Sequence, residues 1–312
     1  MKKGIIVLMG IVCLACQSDS SVLTLQFELP KKIKEISGMV YIPQTKMIWG
    51  LEDSGNDNVL FGLDANSGDL KKTCTITNAS NVDWEELTKD AQGNVYIGDF
   101  GNNDNTRRDL CIYKIASSKL NASSAKADYK ISFSFPEQKE FPPKKSALLF
   151  DTEAFIEWQG YFYLFTKNRS KNFDGTSLVY KVRNAAGVQQ AQLIGKIKTC
   201  DTYNSCQITG AALSPDKGKI VLLCHDKVFL LSGFKGGTVL NGTKTLFGLG
   251  HFSQKESIAF IDNNQLLIAE EAEKKGRSTM YLTSLRQLKS NPLAYRKSCF
   301  FLSTFEISNS GG

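Results

Sequence analysis

From residue 23 onward the chain alternates short runs of β-branched and aromatic residues with clusters of Gly, Asn, Asp and Ser, and little of it has helical periodicity. That pattern predicts many short antiparallel strands joined by tight turns. Self-comparison finds a unit that opens five times in the same way: Glu35-Ile36-Ser37, Asp83-Trp84-Glu85, Asp151-Thr152-Glu153, Gln207-Ile208-Thr209 and Gln254-Lys255-Glu256. The rule is acid or amide, any residue, then Ser, Thr or Glu, followed by small or apolar residues. A second apolar strand follows each opening, over Met47–Leu51, Val95–Gly98, Tyr161–Phe165, Ile220–Leu223 and Leu266–Ala269. A third comes next, and most units add a fourth, as in Ile131–Phe135 and Gln192–Thr199.

Four antiparallel strands repeated radially predict an all-β fold, a five-bladed β-propeller. The longest interval between openings holds Pro136–Lys145, expected as a surface loop. Two terminal runs, Leu23–Leu29 and Ser298–Phe305, remain to supply a missing outer strand and so remove an open sheet edge. The alternative is a six-bladed ring whose last blade is assembled from both tails. Leu285–Lys297 reads as a short helix.

The N-terminus belongs to another class of segment. Lys2 and Lys3 precede the apolar run Gly4–Leu14, too short to span a bilayer and charged like a secretory leader. The run ends Val12-Cys13-Leu14-Ala15-Cys16 and turns polar at once, a pattern similar to a bacterial lipobox with Cys16 as the lipidated residue, although Cys13 stands where such boxes usually carry Leu. The expected organisation is a lipoprotein signal peptide over 1–15, a lipidated linker over 16–22 and a single propeller domain over 23–312. The expected location is the bacterial cell envelope, periplasmic or outer-membrane side, held to the membrane through the N-terminal lipid only. Six cysteines then remain in a compartment that permits disulfides. Cys200 and Cys206 flank a short polar loop and are placed to bridge, whereas Cys111 and Cys224 lie in apolar runs and read as buried thiols. No CxxC spacing supports zinc.

Composition narrows the classes further. The 312 residues are 42% hydrophobic and 22% charged, which excludes wholesale disorder and a polytopic membrane protein. The net charge of +7 is spread over lysines without a dense block, so no nucleic-acid partner is expected.

The chemistry concentrates in the openings. The first strand of each blade lines the axial channel, and residues i and i+2 of a strand face the same way. Glu35, Asp83 and Asp151, with Gln207 and Gln254, therefore form one layer at the channel mouth, and Ser37, Glu85, Glu153, Thr209 and Glu256 the next. The ends of the second strands add Asp53, Asp99, Lys167, His225 and Glu270 to the same rim, and His251 lies three residues before Gln254. Nine carboxylates against one lysine, on a chain that is basic overall, must raise their pKa values, spread into water or take up a cation. Oxygen-only donors in a wide ring suit Ca2+ better than Mg2+. The competing reading has the acids capping turns, bonding backbone N–H groups and holding channel water. For Asp53 and Asp99, Asx-type turns are the expected role; Lys167 and Arg169, in Lys167-Asn168-Arg169, are expected to pair with neighbouring carboxylates, and Trp84 and Trp158 read as packing residues.

At these residues the chain resembles the SdiA-regulated family of exported bacterial propellers, notably in Glu35-Ile36-Ser37, in Asp83-Trp84-Glu85 with Asn94–Ile97 after it, in Ile208–Ala212 followed by Ile220–His225, and in Glu256–Ala259 with Leu267–Glu271. The resemblance implies a five-bladed propeller with a bound calcium, distantly similar to NHL-repeat propellers. Two functional readings follow. One is a lipid-anchored propeller that binds calcium and, on the same rim, a partner protein or small ligand. The alternative is a metal-dependent hydrolase of lactonase, esterase or phosphoesterase type, in which the ion polarises substrate and a rim carboxylate or His251 moves the proton.

Overall fold

Inner strands of a propeller are covered on both faces by neighbouring blades, so they should read as continuous buried runs, and outer strands should be half exposed. The computed structural model, which describes residues 22–272 and 276–290, shows that gradient. The inner strand Asp151–Trp158 is buried throughout, whereas the outer strand Gln192–Lys198 is mostly exposed or half-buried. Five sheets form five blades, and in each the three strands nearest the axis run antiparallel in chain order outward. Their inner strands are Ile36–Ile42, Trp84–Lys89, Asp151–Trp158, Gly210–Leu213 and Lys255–Phe260, and each packs beside the next around a closed ring.

The ring closes through the N-terminal run. Thr24–Glu28 pairs antiparallel with Thr279–Ser284 and supplies the outer strand of the fifth blade. This corrects the six-bladed alternative, because Leu23–Leu29 is used up in completing a blade that already exists. Ser298–Phe305, Cys299 and the leader with Cys16 lie outside the described residues. The helix expected near the C-terminus spans Leu285–Ser290, buries Leu285 and Leu288, and is capped where the Ser284 hydroxyl accepts the Gln287 N–H at 3.1 Å.

Each junction between blades holds its own apolar cluster. Trp49, Leu51, Trp84 and Leu87 fill the first junction. An aromatic group fills the second, where Phe100 and Phe155 meet edge to face at 5.0 Å. Trp84 and Trp158 are indeed buried packing residues. The junction of blades five and one is built like the rest, from Met39, Ile48, Leu267 and Met280. Two blades gain a fifth strand lent by the following blade: Ser124–Ala125 runs parallel to Leu70–Ile76, and Gly187–Gln190 parallel to Tyr129–Ser134. Pro136–Lys145 is a loop. Cys200 and Cys206 form a disulfide with Cα atoms 5.3 Å apart, and Cys74, Cys111 and Cys224 are buried free thiols.

Candidate functional site: the acidic mouth of the axial channel

A β-bulge places the site. In four blades the pairing of first and second strands shifts register between Ile36 and Gly38, Trp84 and Glu86, Thr152 and Ala154, and Lys255 and Ser257. The unpaired residues are Ser37, Glu85, Glu153 and Glu256, the third member of each opening. A bulge re-aims the side chain it carries, and here it brings this layer together at one end of the axis.

The layer is not symmetric. On the third blade, Arg169 Nε donates to Asp151 Oδ2 at 2.6 Å and its Nη2 to Glu153 Oε1 at 2.8 Å, while Lys167 Nζ lies 3.1 Å from Glu153 Oε1. Asp151 also accepts the Asn102 N–H at 2.7 Å. Burial and the Glu153 charge push Asp151 up to about 7, against the pull of Arg169 and Lys167. Burial opposes the Glu153 charge as well, but the two cations beside it bring its pKa below the ordinary value. Lys167 is buried, and the attraction of Glu153 and Glu256 outweighs its desolvation, so it stays charged. This blade carries its own counter-ions.

Blades one and four spend their hydroxyls on the neighbouring blade. Ser37 Oγ donates to the Trp84 carbonyl at 3.0 Å and Thr209 Oγ1 to the Lys255 carbonyl at 2.6 Å. Each bond ends one residue before a bulged glutamate, so these two residues of the expected rim set steady Glu85 and Glu256. Gln207 donates to the Asn168 carbonyl at 3.0 Å.

The second blade is different. Glu85 is 8% exposed, and among the described residues its carboxylate has no hydrogen bond or ion pair; its oxygens remain accessible at the mouth. Burial, then Glu153, Asp83 and Asp151, push its pKa well above the ordinary value. Glu85 Oε1 and Asp83 Oδ2 converge in front of Gly101: a Cβ there would stand 2.2 Å from the first and 2.4 Å from the second. Asp83 is raised by burial and by Glu153, with Arg107 pulling the other way. Asp99 is not an Asx turn as expected; its buried carboxylate accepts Arg107 Nη2 at 2.9 Å and the Asp83 N–H at 3.1 Å, and so holds the second-blade opening in place. Asp53 does keep a local turn partner, accepting Asn56 Nδ2 at 3.2 Å, and the same amide donates to Glu35 at 2.8 Å. Burial and the charges of Glu35 and Asp83 raise Asp53 to about 7.

On the fifth blade, Glu256 Oε1 meets His225 Nε2 at 3.2 Å. His251 is half exposed, with Nδ1 3.1 Å from Lys255 Nζ. Glu270 accepts the Tyr281 hydroxyl at 2.7 Å and that of Ser253. Glu271, absent from the expected set, faces Glu256, Asp53 and Glu35, and burial followed by these charges raises it to about 8. Two more residues were missed. Lys255 is fully buried, its ammonium donating to Ser253 Oγ at 2.6 Å and to the carbonyls of His251 at 3.0 Å and His225 at 3.2 Å; burial lowers it to about 8. Glu86 lies deeper on the axis. Its carboxylate accepts the Leu87 N–H at 2.9 Å and, from the non-adjacent fourth blade, the Ala211 N–H at 3.0 Å, and burial raises its pKa well above the ordinary value.

The mouth is thus divided. Cations on blade three neutralise Asp151 and Glu153, whereas Glu35, Asp53, Asp83, Glu85 and Glu271, on blades five, one and two, have no ion pair among the described residues. Among the described residues no three carboxylate, histidine or cysteine groups form a ready metal cage. A cation here would rest on Asp83 and Glu85, with water completing its shell.

No family model matches the chain, and no curated protein matches it. Among solved structures, the PQQ-bound form of an aldose sugar dehydrogenase from Streptomyces coelicolor is similar over 84% of this chain and 98% of that one, at a TM-score of 0.50 and 9% identity. Likeness at that identity concerns the propeller architecture alone. The fold and mouth define the class: a five-bladed β-propeller with an acidic axial mouth.

Proposed function

We propose that this propeller is a lipid-anchored envelope protein that binds a hard divalent cation, calcium, at its acidic mouth and engages a small ligand or partner protein across the same rim. The observation that carries the reading is Glu85: a largely buried carboxylate with no donor among the described residues, paired with Asp83 over a glycine. Buried charge without a partner is costly, and a cation with an incomplete protein shell supplies one. Calcium suits the place because it accepts about six to eight oxygens in loose geometry, including water. The Cys200–Cys206 disulfide and the leader pattern support export. Mass spectrometry of the mature N-terminus tests the anchor: diacylglycerol on Cys16 is expected, and an unmodified terminus elsewhere contradicts it.

Calcium binding is tested by thermal melts of chelator-stripped protein with and without added Ca2+. A rise in melting temperature that Glu85→Gln abolishes supports the site; an unchanged melt removes it. A second reading, metal-dependent hydrolysis, draws on the His225–Glu256 pair, whose imidazole is oriented beside the acidic group. It requires chelator-sensitive turnover on lactone, ester or phosphoester substrates that His225→Ala removes. Absence of turnover leaves the binding reading alone.

A further inference from the structure

The opposite end of the axis holds a separate pocket. The fully buried Glu86 carboxylate, bonded to Leu87 and to Ala211 across the axis, lies between the two ends, and Gly38 packs so tightly there that a Cβ would stand 2.6 Å from the Glu86 Cα. Beyond it lies an open pocket of about 260 Å3. Its floor is made by the inner strands, with Met39, Leu87, Ala211, Ala259 and Phe260 all buried.

Polar groups gather at the lip, and their satisfaction is unequal. Asp90 is saturated by the N–H groups of Gln92 at 3.0 Å and Asn94 at 2.9 Å, the Asn94 amide at 2.7 Å and the Tyr96 hydroxyl at 2.9 Å. Glu157 accepts the Gly160 N–H at 2.9 Å and lies near Lys217. Lys89 has one bond only, from Nζ to the Tyr41 carbonyl at 2.7 Å, and no carboxylate within 4.0 Å among the described residues. Its surroundings disfavour the charge it carries. An apolar well edged by the half-buried Lys89 ammonium, with the exposed Lys217 near Glu157 also on the lip, complements a molecule with a short hydrocarbon body and a negative head.

We propose that this far pocket binds a medium-chain monocarboxylate, with the hydrocarbon against Tyr41, Leu213 and Pro215, lining residues that keep exposed surface, and the carboxylate on Lys89. The inference stands apart from the cation site, since the buried Glu86 lies between the two.

Calorimetric titration in chelator with octanoate, octan-1-ol and octylammonium as probes tests it. Saturable octanoate binding at least about tenfold tighter than octanol, and none by octylammonium, is expected, because a charge-assisted hydrogen bond distinguishes the heads by that factor or more. Lys89→Met should weaken octanoate about tenfold and leave octanol unchanged, and Lys89→Arg should retain octanoate. Octanoate that binds no better than octanol, or does not saturate with the unaltered protein, overturns the proposal, as does octanoate affinity indifferent to Lys89→Met in a variant that melts normally. Glu85→Gln should leave octanoate binding intact; loss of binding there would contradict two independent sites.

Discussion

The carboxylate of Glu86, on the second blade, reaches across the propeller axis to accept the backbone N–H of Ala211 on the fourth. Blades two and four are not neighbours in the ring, so this bond ties together parts of the chain that share no sheet. Glu86→Gln keeps the volume but can turn an amide N–H toward a backbone donor in a site without water access. Such a buried mismatch costs about 1–3 kcal/mol. Urea unfolding should show that loss with an unchanged m-value, whereas wild-type stability would mean that the axial bond does not matter.

Arg169 is the counter-ion of a buried pair. Arg169→Met leaves Asp151 and Glu153 with Lys167 alone, and removing one partner of a buried ion pair costs about 3 kcal/mol or more. The same change frees two carboxylates for an external cation. Added calcium should therefore recover part of the lost melting temperature, and by more than it adds to the unaltered protein. A loss that calcium leaves untouched would show that the third blade cannot hold an ion in place of Arg169.

The acidic mouth also sets a pH dependence. Asp53, at about 7, and Glu271, at about 8, have folded pKa values above their unfolded ones, and Glu85 shifts the same way. The folded state thus binds more protons than the unfolded state between about pH 4 and 8, so stability falls as pH rises through that window. Glu153, shifted down, opposes this with a smaller set of groups. In chelator the melting temperature should decline from pH 5 to pH 8. Calcium should flatten the decline by stabilising the ionised carboxylates, and a melt that rises with pH in chelator would contradict the charge accounting.

Gly101 tests the geometry directly. Gly101→Ala places a methyl group against Glu85 Oε1 and Asp83 Oδ2, and the two carboxylates must separate. The calcium-dependent gain in melting temperature should shrink to near that of Glu85→Gln. An unaltered gain would put the ion elsewhere on the rim.

Much of this was legible in the residues. The five openings announced five inner strands, and their third members, Ser37, Glu85, Glu153 and Glu256, are the bulged residues that face the axis. Strict two-residue alternation, however, directs Glu86 and Lys255 away from the channel residues beside them. The bulge resets that alternation, which is why Glu86 and the buried ammonium of Lys255 escaped notice. Lys167 and Arg169 pair with neighbouring carboxylates as expected, whereas Arg107 comes from a loop after a second strand, where spacing gives no direction. The parallel strands Ser124–Ala125 and Gly187–Gln190 were equally hidden, because each completes a blade other than its own. The Leu23–Leu29 run was recognisable as an outer strand, but its partner, Thr279–Ser284, depends on ring closure.

Glu85 and Asp83 are the proposed holders of a cation that no described protein group replaces. Calorimetric titration of calcium into chelator-stripped protein, beside Glu85→Gln, addresses this most directly. A saturable heat near one ion per chain is expected in the unaltered protein, with affinity reduced at least about tenfold by the substitution. Equal titrations of the two proteins, or no heat from either, would contradict it.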